Sequence, residues 1–204
     1  LAVRAAKAAL EDSGTLPEEI DLILVATVSS DFITPSTACM VQRELGARHA
    51  AAFDINAACS GFLFALNTAD AYFQAGIYQT ALIIGVETLS KIIDWSDRST
   101  CVLFGDGAGA VVAKASEKGL VASLQGSDGN GGNILICKNR TNNNPYISTG
   151  TDPDYLYMDG QEVFKFAVKK EPECIAALLE QAGIGASDVT YYLLHQANFR
   201  IISS

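Results

Sequence analysis

This sequence predicts an α/β fold: a mainly parallel sheet with helices on its faces. Three observations carry that. Short apolar runs at 22–28, 50–53 and 81–86 have strand length and no polar side, as in sheets covered on both faces. Segments of helical character lie before and between them, at 1–13, 34–45 and 62–76, and such alternation builds parallel βαβ units. Gly14, Gly46 and Gly76 close those segments, and glycine is the residue that most often ends a helix.

Taken in order, the first helix is amphipathic and ends near Ser13-Gly14, and Pro17-Glu18-Glu19 makes a turn. Thr34-Pro35-Ser36 opens the second helix, which stops at Gly46. The third helix is apolar on nearly every face, which predicts burial in a core. After the strand at 81–86 comes a loop with Lys91, Asp94, Trp95, Asp97 and Arg98. The run Phe104-Gly105-Asp106-Gly107-Ala108-Gly109-Ala110 resembles a phosphate loop only on the surface. No Lys-Ser/Thr follows it, and it leads into a β-like segment rather than a helix. Its glycines therefore predict a tight turn with close backbone packing.

Polarity shifts near Glu117-Lys118-Gly119, which puts a boundary between domains 1–117 and 118–204. Beyond it, 120–124 reads as a strand. Residues 127–153 are rich in Gly, Asn, Asp and Thr and read as a long loop with a short possible strand at 134–136. Loops of that length in a compact domain are usually functional. A long helix runs from 158 to 182, where Pro172 should kink or split it. Residues 189–194 read as a last strand, followed by His195-Gln196-Ala197-Asn198-Phe199-Arg200.

Composition narrows the function classes. A net charge of −9 argues against nucleic acid as the main partner. No apolar run approaches the roughly 18 residues of a membrane span. Five scattered cysteines, without CxxC spacing, point to a reducing cytoplasm and give no metal signature. Asn139-Arg140-Thr141 matches a glycosylation sequon, which carries no meaning without secretion. The chain begins without Met inside a helix and stops as a new segment starts, so it reads as part of a longer protein.

Chemistry concentrates at two places. Cys59 lies where a buried strand hands over to the third helix, with Ser60 and Gly61 beside it in the first helical turn. Unpaired backbone N–H groups and the positive end of the helix dipole there favour thiolate. The alternative is a small buried hydrophobe, the common fate of a structural thiol. His195 directly follows an apolar strand, where open α/β sheets place their sites. It is either a satisfied structural histidine or a donor to a developing oxyanion. His49 lies in a polar loop and looks incidental. Lys165, Lys169 and Lys170 sit about one turn apart on a helix of an otherwise acidic chain. That is a solvated face or a docking patch for an acidic partner.

Four separated stretches resemble the β-ketoacyl-acyl carrier protein synthase III branch of the thiolase superfamily. They are Ala57-Ala58-Cys59-Ser60-Gly61-Phe62, the glycine run around Asp106, Met158 to Val168, and His195-Gln196-Ala197-Asn198. The resemblance implies a thiolase-like layered αβαβα fold, here the end of its first half and the start of its second. It implies Cys59 as the nucleophile that takes an acyl group from acyl-CoA, with its backbone N–H as half of an oxyanion hole. His195 would assist decarboxylation of malonyl carried on acyl carrier protein. Arg98 resembles a residue near the CoA adenine, and Gly160 and Phe164 resemble the lining of the pantetheine channel. Asn198 belongs to the His195 motif, with a structural or water-holding role. Lys165 and Arg200 resemble the carrier-protein docking surface. A cytoplasmic homodimer with no cofactor beyond the CoA thioester is implied as well. Thr34, where the family carries a bulky residue, implies a roomier acyl pocket.

The family's catalytic Asn, its first strand and its C-terminal glycine loop have no counterpart in this chain. The piece alone is therefore expected to condense weakly or not at all. Two alternatives remain open: a non-catalytic CoA or carrier-protein binding module, and a related polyketide or quinolone priming enzyme. A papain-like hydrolase is rejected, because the Cys and His contexts differ and a buried, water-poor helix suits acyl transfer better.

Overall fold

Four strands form the central sheet of the computed structural model: β1 (Leu22–Ala26), β2 (Ala51–Ile55), β3 (Thr80–Thr88) and β4 (Asp106–Lys114), in the order β2-β1-β3-β4. The structure describes residues 1–139, 146 and 155–203. β1 pairs in parallel with β2 and β3, while β4 runs antiparallel to β3. The sheet and its helices form one compact unit, Leu1–Thr88 with Gly105–Ser123.

The alternation of β1 and β3 sorts their side chains onto two helix-covered faces. Ile23, Val25, Leu82 and Ile84 join the core under α1 (Ala2–Ser13) and α2 (Thr37–Leu45). Leu22, Leu24 and Ile83 join the core under α3 (Gly61–Gln74). All five β1 residues are buried, and each large apolar side chain hidden this way contributes about 1.5–3 kcal/mol. α1 presents Ala2, Ala6 and Leu10 inward and ends on left-handed Gly14. The hydroxyl of Ser36 accepts from the Cys39 N–H to cap α2, and left-handed Gly46 ends it.

α3 departs from expectation. Only Gly61, Ala65 and Ala69 are buried, and Leu63 is 60% exposed. A stripe of small residues at i, i+4 and i+8 brings the helix close to the sheet, and its larger apolar side chains lie to the sides of that contact. The glycine run also differs. From Asp106 on its residues form β4, but nothing beyond the adjoining residues lies within 4 Å of where a Cβ would stand on Gly105, Gly107 or Gly109. The tight turn with close packing expected there is replaced by an open-faced antiparallel strand.

The second unit comprises Leu89–Phe104 and Leu124–Ser204. It holds a two-stranded antiparallel pair, β5 (Leu135–Ile136) with β6 (Tyr157–Met158), then α4 (Gly160–Ala182) and α5 (Phe199–Ile202). The Asp159 carboxylate accepts from the Gln161 and Glu162 N–H groups to start α4, and left-handed Gly183 ends it. Pro172 lies inside α4 without splitting it. The strands expected at 120–124 and 189–194 do not form. A strand is held by its ladder, and no described segment pairs with either. The short strand expected at 134–136 does form. Most of the long loop around it, and the sequon at 139–141 beyond Asn139, lie outside the described residues.

Candidate functional site

The carboxyl end of the parallel strands carries the most built-up polar cluster of the first unit. β2 ends in Asp54-Ile55, and the Asp54 carboxylate accepts from the Thr37 and Ala38 N–H groups, both at 2.7 Å. A negative group there satisfies orphan donors of α2 and complements the positive end of its dipole. The chain then turns sharply. Ala58 takes φ 43, the left-handed region, which costs a side-chain-bearing residue about 1–2 kcal/mol. A single 3₁₀ turn, Ala58–Ser60, follows and carries Cys59, and α3 starts at Gly61. Cys59 thus stands in the turn between β2 and α3; of its two neighbours, Gly61 opens the α-helix and Ser60 lies in the 3₁₀ turn.

Gly61 sets how near this turn sits to the sheet. A Cβ on it would stand 2.9 Å from the Ala26 Cβ, so only glycine permits the approach. Cys59 is exposed as a residue, yet enough protein surrounds its sulfur to shift its titration. Burial pushes the Cys59 thiol up, its own backbone N–H opposes that, and the Glu87 charge pushes it up further. The helix terminus was expected to favour thiolate; desolvation and a neighbouring carboxylate outweigh it.

Glu87, near the end of β3, escaped the sequence reading. One carboxylate oxygen accepts from the Val28 N–H at 2.9 Å. The other accepts a short hydrogen bond from the Ser29 hydroxyl and a long one from Thr27 Oγ1 at 3.5 Å. The Ser29 hydroxyl in turn accepts from the Thr88 N–H at 2.7 Å, and the Thr88 hydroxyl donates to the Ser29 carbonyl at 3.0 Å. The one signal in the sequence was an acidic residue at the end of an otherwise apolar strand. A groove of about 200 Å³ opens beside this network, lined in part by Thr27, Ser29, Thr37 and Thr88.

The remaining predicted site residues lie in the second unit. Gly160, Phe164 and Lys165 share the first turns of α4, with Phe164 half-buried and the other two exposed. The Lys165 ammonium pairs with Glu162 at 2.7 Å, which raises its pKa. Asn198 caps α5: its side-chain oxygen accepts from the Arg200 N–H at 2.9 Å. α5 lies against α4. His195 is exposed in an irregular stretch, just before the turn at Gln196-Ala197. Arg98 is exposed in a loop shaped by Asp97, whose carboxylate accepts from the Ser99 N–H and from the Ser99 and Thr100 hydroxyls. Those bonds hold the Asp97 carboxyl below its ordinary range. Among the described residues, no three His, Cys, Asp or Glu side chains are grouped to hold a metal ion.

A layered α/β unit with a cysteine turn at the carboxyl end of its parallel strands defines a protein of the thiolase-like class. Residues 53–129 match the family of 3-oxoacyl-[acyl-carrier-protein] synthase III. Similarity to synthases of that name extends over the whole chain. The chain is 51% identical over 204 residues to the β-ketoacyl-[acyl-carrier-protein] synthase III of Clostridium acetobutylicum, covering 99% of this chain and 63% of the relative. To the enzyme of that name in Lactococcus lactis it is 48% identical, with the same coverage. Among solved structures, the 3-oxoacyl-[acyl-carrier-protein] synthase III of Aquifex aeolicus VF5 matches with a TM-score of 0.90 and 43% identity, over 100% of this chain and 62% of that one. The priming β-ketosynthase of the R1128 polyketide pathway matches with a TM-score of 0.91 and 36% identity, over 100% of this chain and 61% of that one. The chain spans about 63% of the length of the curated relatives it matches.

Proposed function

We propose that the protein carrying this chain transfers an acyl group from acyl-CoA to Cys59 and condenses it with malonyl-acyl carrier protein, the initiating step of fatty-acid synthesis. One observation carries the proposal: Cys59 stands on a strained turn at the carboxyl end of the sheet, in a chain about half identical to synthases of that name. In the first half-reaction the sulfur–acyl bond forms, the bond from the acyl carbon to the CoA sulfur breaks, and CoA leaves as the thiol. A thiol held protonated by its surroundings must give up its proton as it attacks, and that proton leaves with CoA as its thiol; His195 is proposed to assist the decarboxylation that follows. In the second half-reaction malonyl loses carbon dioxide, the resulting carbanion attacks the acyl carbonyl, and the Cys59 sulfur leaves.

The other roles follow the family. Arg98 meets the CoA adenine, and Gly160 and Phe164 line the pantetheine channel. Asn198 holds the His195 turn through its cap of α5. Lys165 and Arg200 receive the carrier protein. The protein works in the cytoplasm, needs no cofactor beyond its thioester substrates, and forms a homodimer. Support for the dimer is the outer edge of β2, which pairs with no described strand; open edges invite pairing with a second chain. Among the described residues, no helix is long and apolar enough to cross a membrane.

The test is direct. The protein is incubated with acetyl-CoA and its peptides are mapped by mass. Acetyl on the Cys59 peptide, discharged on adding malonyl-acyl carrier protein, is the expected result. His195→Ala should keep some acylation and lose carbon dioxide release. No acyl on Cys59 would overturn the reading and leave a binding module. A second reading, priming of a polyketide, is favoured by the match to the R1128 ketosynthase. Better turnover with acyl-CoAs longer than acetyl would support it, in keeping with the small Thr34.

A further inference from the structure

The proposed chemistry gives no task to Glu87, yet this half-buried carboxylate accepts three hydrogen bonds at the end of the sheet where Cys59 stands. Its partners Thr27, Val28 and Ser29 form the segment that continues β1. That segment and the last residue of β1 before it touch the two flanks of the Cys59 turn. On one flank the Thr27 N–H donates to the Ile55 carbonyl, the last residue of β2, at 3.1 Å. On the other, Ala26 is the residue against which Gly61, the first residue of α3, is pressed.

We propose that Glu87 is a positioning residue for Cys59: by tying the 27–29 segment to β3 it fixes where β2 ends and α3 begins, and it sets a negative charge beside the thiol. The proposal rests on reading Cys59 as the nucleophile. A merely structural clamp would accept the same hydrogen bonds whether charged or neutral. The charge does something more. It disfavours a second negative charge nearby, so the resting sulfur keeps its proton and reacts when a base takes that proton during acyl transfer. The Coulombic push of Glu87 on Cys59 agrees with this.

The other ionisable groups around the turn are few. β2 contributes Asp54, whose oxygens are engaged by the α2 N-terminus. β1 and the first turn of α3 contribute none, and the loop after β1 contributes Asp31. Glu87 is the carboxylate in that group that acts on the thiol.

Glu87→Gln keeps an acceptor at the site and removes the charge; Glu87→Asp keeps the charge. The rate of Cys59 alkylation by iodoacetamide is followed against pH, with the Cys59 peptide resolved by mass. Glu87→Gln should move the alkylation curve to lower pH, with several-fold faster labelling below the wild-type midpoint, and Glu87→Asp should stay near wild type. In the acetyl-CoA assay, Glu87→Gln should lose acyl-transfer rate with little change in apparent KM. A Glu87→Gln curve that superimposes on wild type, with circular dichroism unchanged, overturns the proposal. Should Glu87→Gln misfold, the wild type alone still reports: a wild-type alkylation midpoint at or below that of the urea-unfolded chain overturns it too. Alkylation needs no acyl-CoA, so the two readings separate. Absent acylation with a shifted Glu87→Gln curve removes the enzymatic reading and keeps Glu87 as the group that sets the thiol; intact acylation with superimposed curves removes only the role of Glu87.

Discussion

At the scale of the residue, Cys59 combines access with restraint. It is exposed, yet burial of its sulfur and the Glu87 charge hold its thiol above the ordinary range against the pull of its own N–H. A group whose folded pKa is raised gives the fold stability that is present below its unfolded pKa and lost as pH rises through the folded one. Alkaline unfolding should therefore include a Cys59 contribution. Cys59→Ala should flatten the loss of denaturant midpoint above the thiol range and leave the curve unchanged near neutrality. Equal alkaline slopes in the two proteins would contradict it. Ala58 tells the complementary story. Its φ of 43 stores about 1–2 kcal/mol that glycine would not pay, while glycine adds freedom to the unfolded chain worth about 0.4–1 kcal/mol. Ala58→Gly should thus raise stability by about 0–1.6 kcal/mol in urea unfolding, and a clear loss would show that the Ala58 methyl makes a contact worth more than the strain.

At the scale of the element, the register of α3 against β1 decides where the thiol stands. Gly61→Ala would place a methyl 2.9 Å from the Ala26 Cβ, and neither is the end of a flexible side chain. The helix must move, at about 1–3 kcal/mol for overpacking. Chemical denaturation should show that loss, and Cys59 acylation should fall with it; unchanged stability would mean the helix start is free to slide. Much of this was legible. β1 and β3 were readable because a strand covered on both faces has no polar position, and the helix ends because Gly14 and Gly46 take left-handed φ. The direction of β4 was not, since apolar content says nothing of direction. Residues 189–194 alternate poorly and found no ladder. Pro172 forfeits one hydrogen bond inside α4, but a helix of 23 residues capped at both ends by Asp159 and Gly183 runs through it. Glu87 was hidden for a different reason. Its importance arises from the pairing of β1 with β3, which sets Ala26 beside Gly85 and brings the 27–29 loop to its carboxylate; no local pattern encodes that meeting.

At the scale of the whole molecule, the proposed function would have a chain of net charge −9 receive an acidic carrier protein. The average field repels such a partner, so docking must rest on local cations. The two proposed ones are not alike. Lys165 is spoken for by Glu162 at 2.7 Å, and to bind a carrier carboxylate it would exchange one partner for another. Exposed pairs of that kind are weak and screened by solvent, so the exchange gains little. Arg200, exposed at the start of α5, has no carboxylate within ion-pair distance among the described residues, and its planar fork suits bidentate contact with a carboxylate or phosphate. Replacing either by Met removes one positive charge. The long-range attraction that sets the association rate should fall by a similar few-fold for Lys165→Met and Arg200→Met, and that loss should vanish at high salt. The dissociation rate should separate them. Arg200→Met removes a contact made only in the complex and should speed dissociation several-fold at any salt, whereas Lys165→Met should barely change it. Stopped-flow binding of labelled acyl carrier protein at two ionic strengths resolves both rates, and equal dissociation rates for the two variants would mean that the ion pair on α4 opens to the partner at no cost.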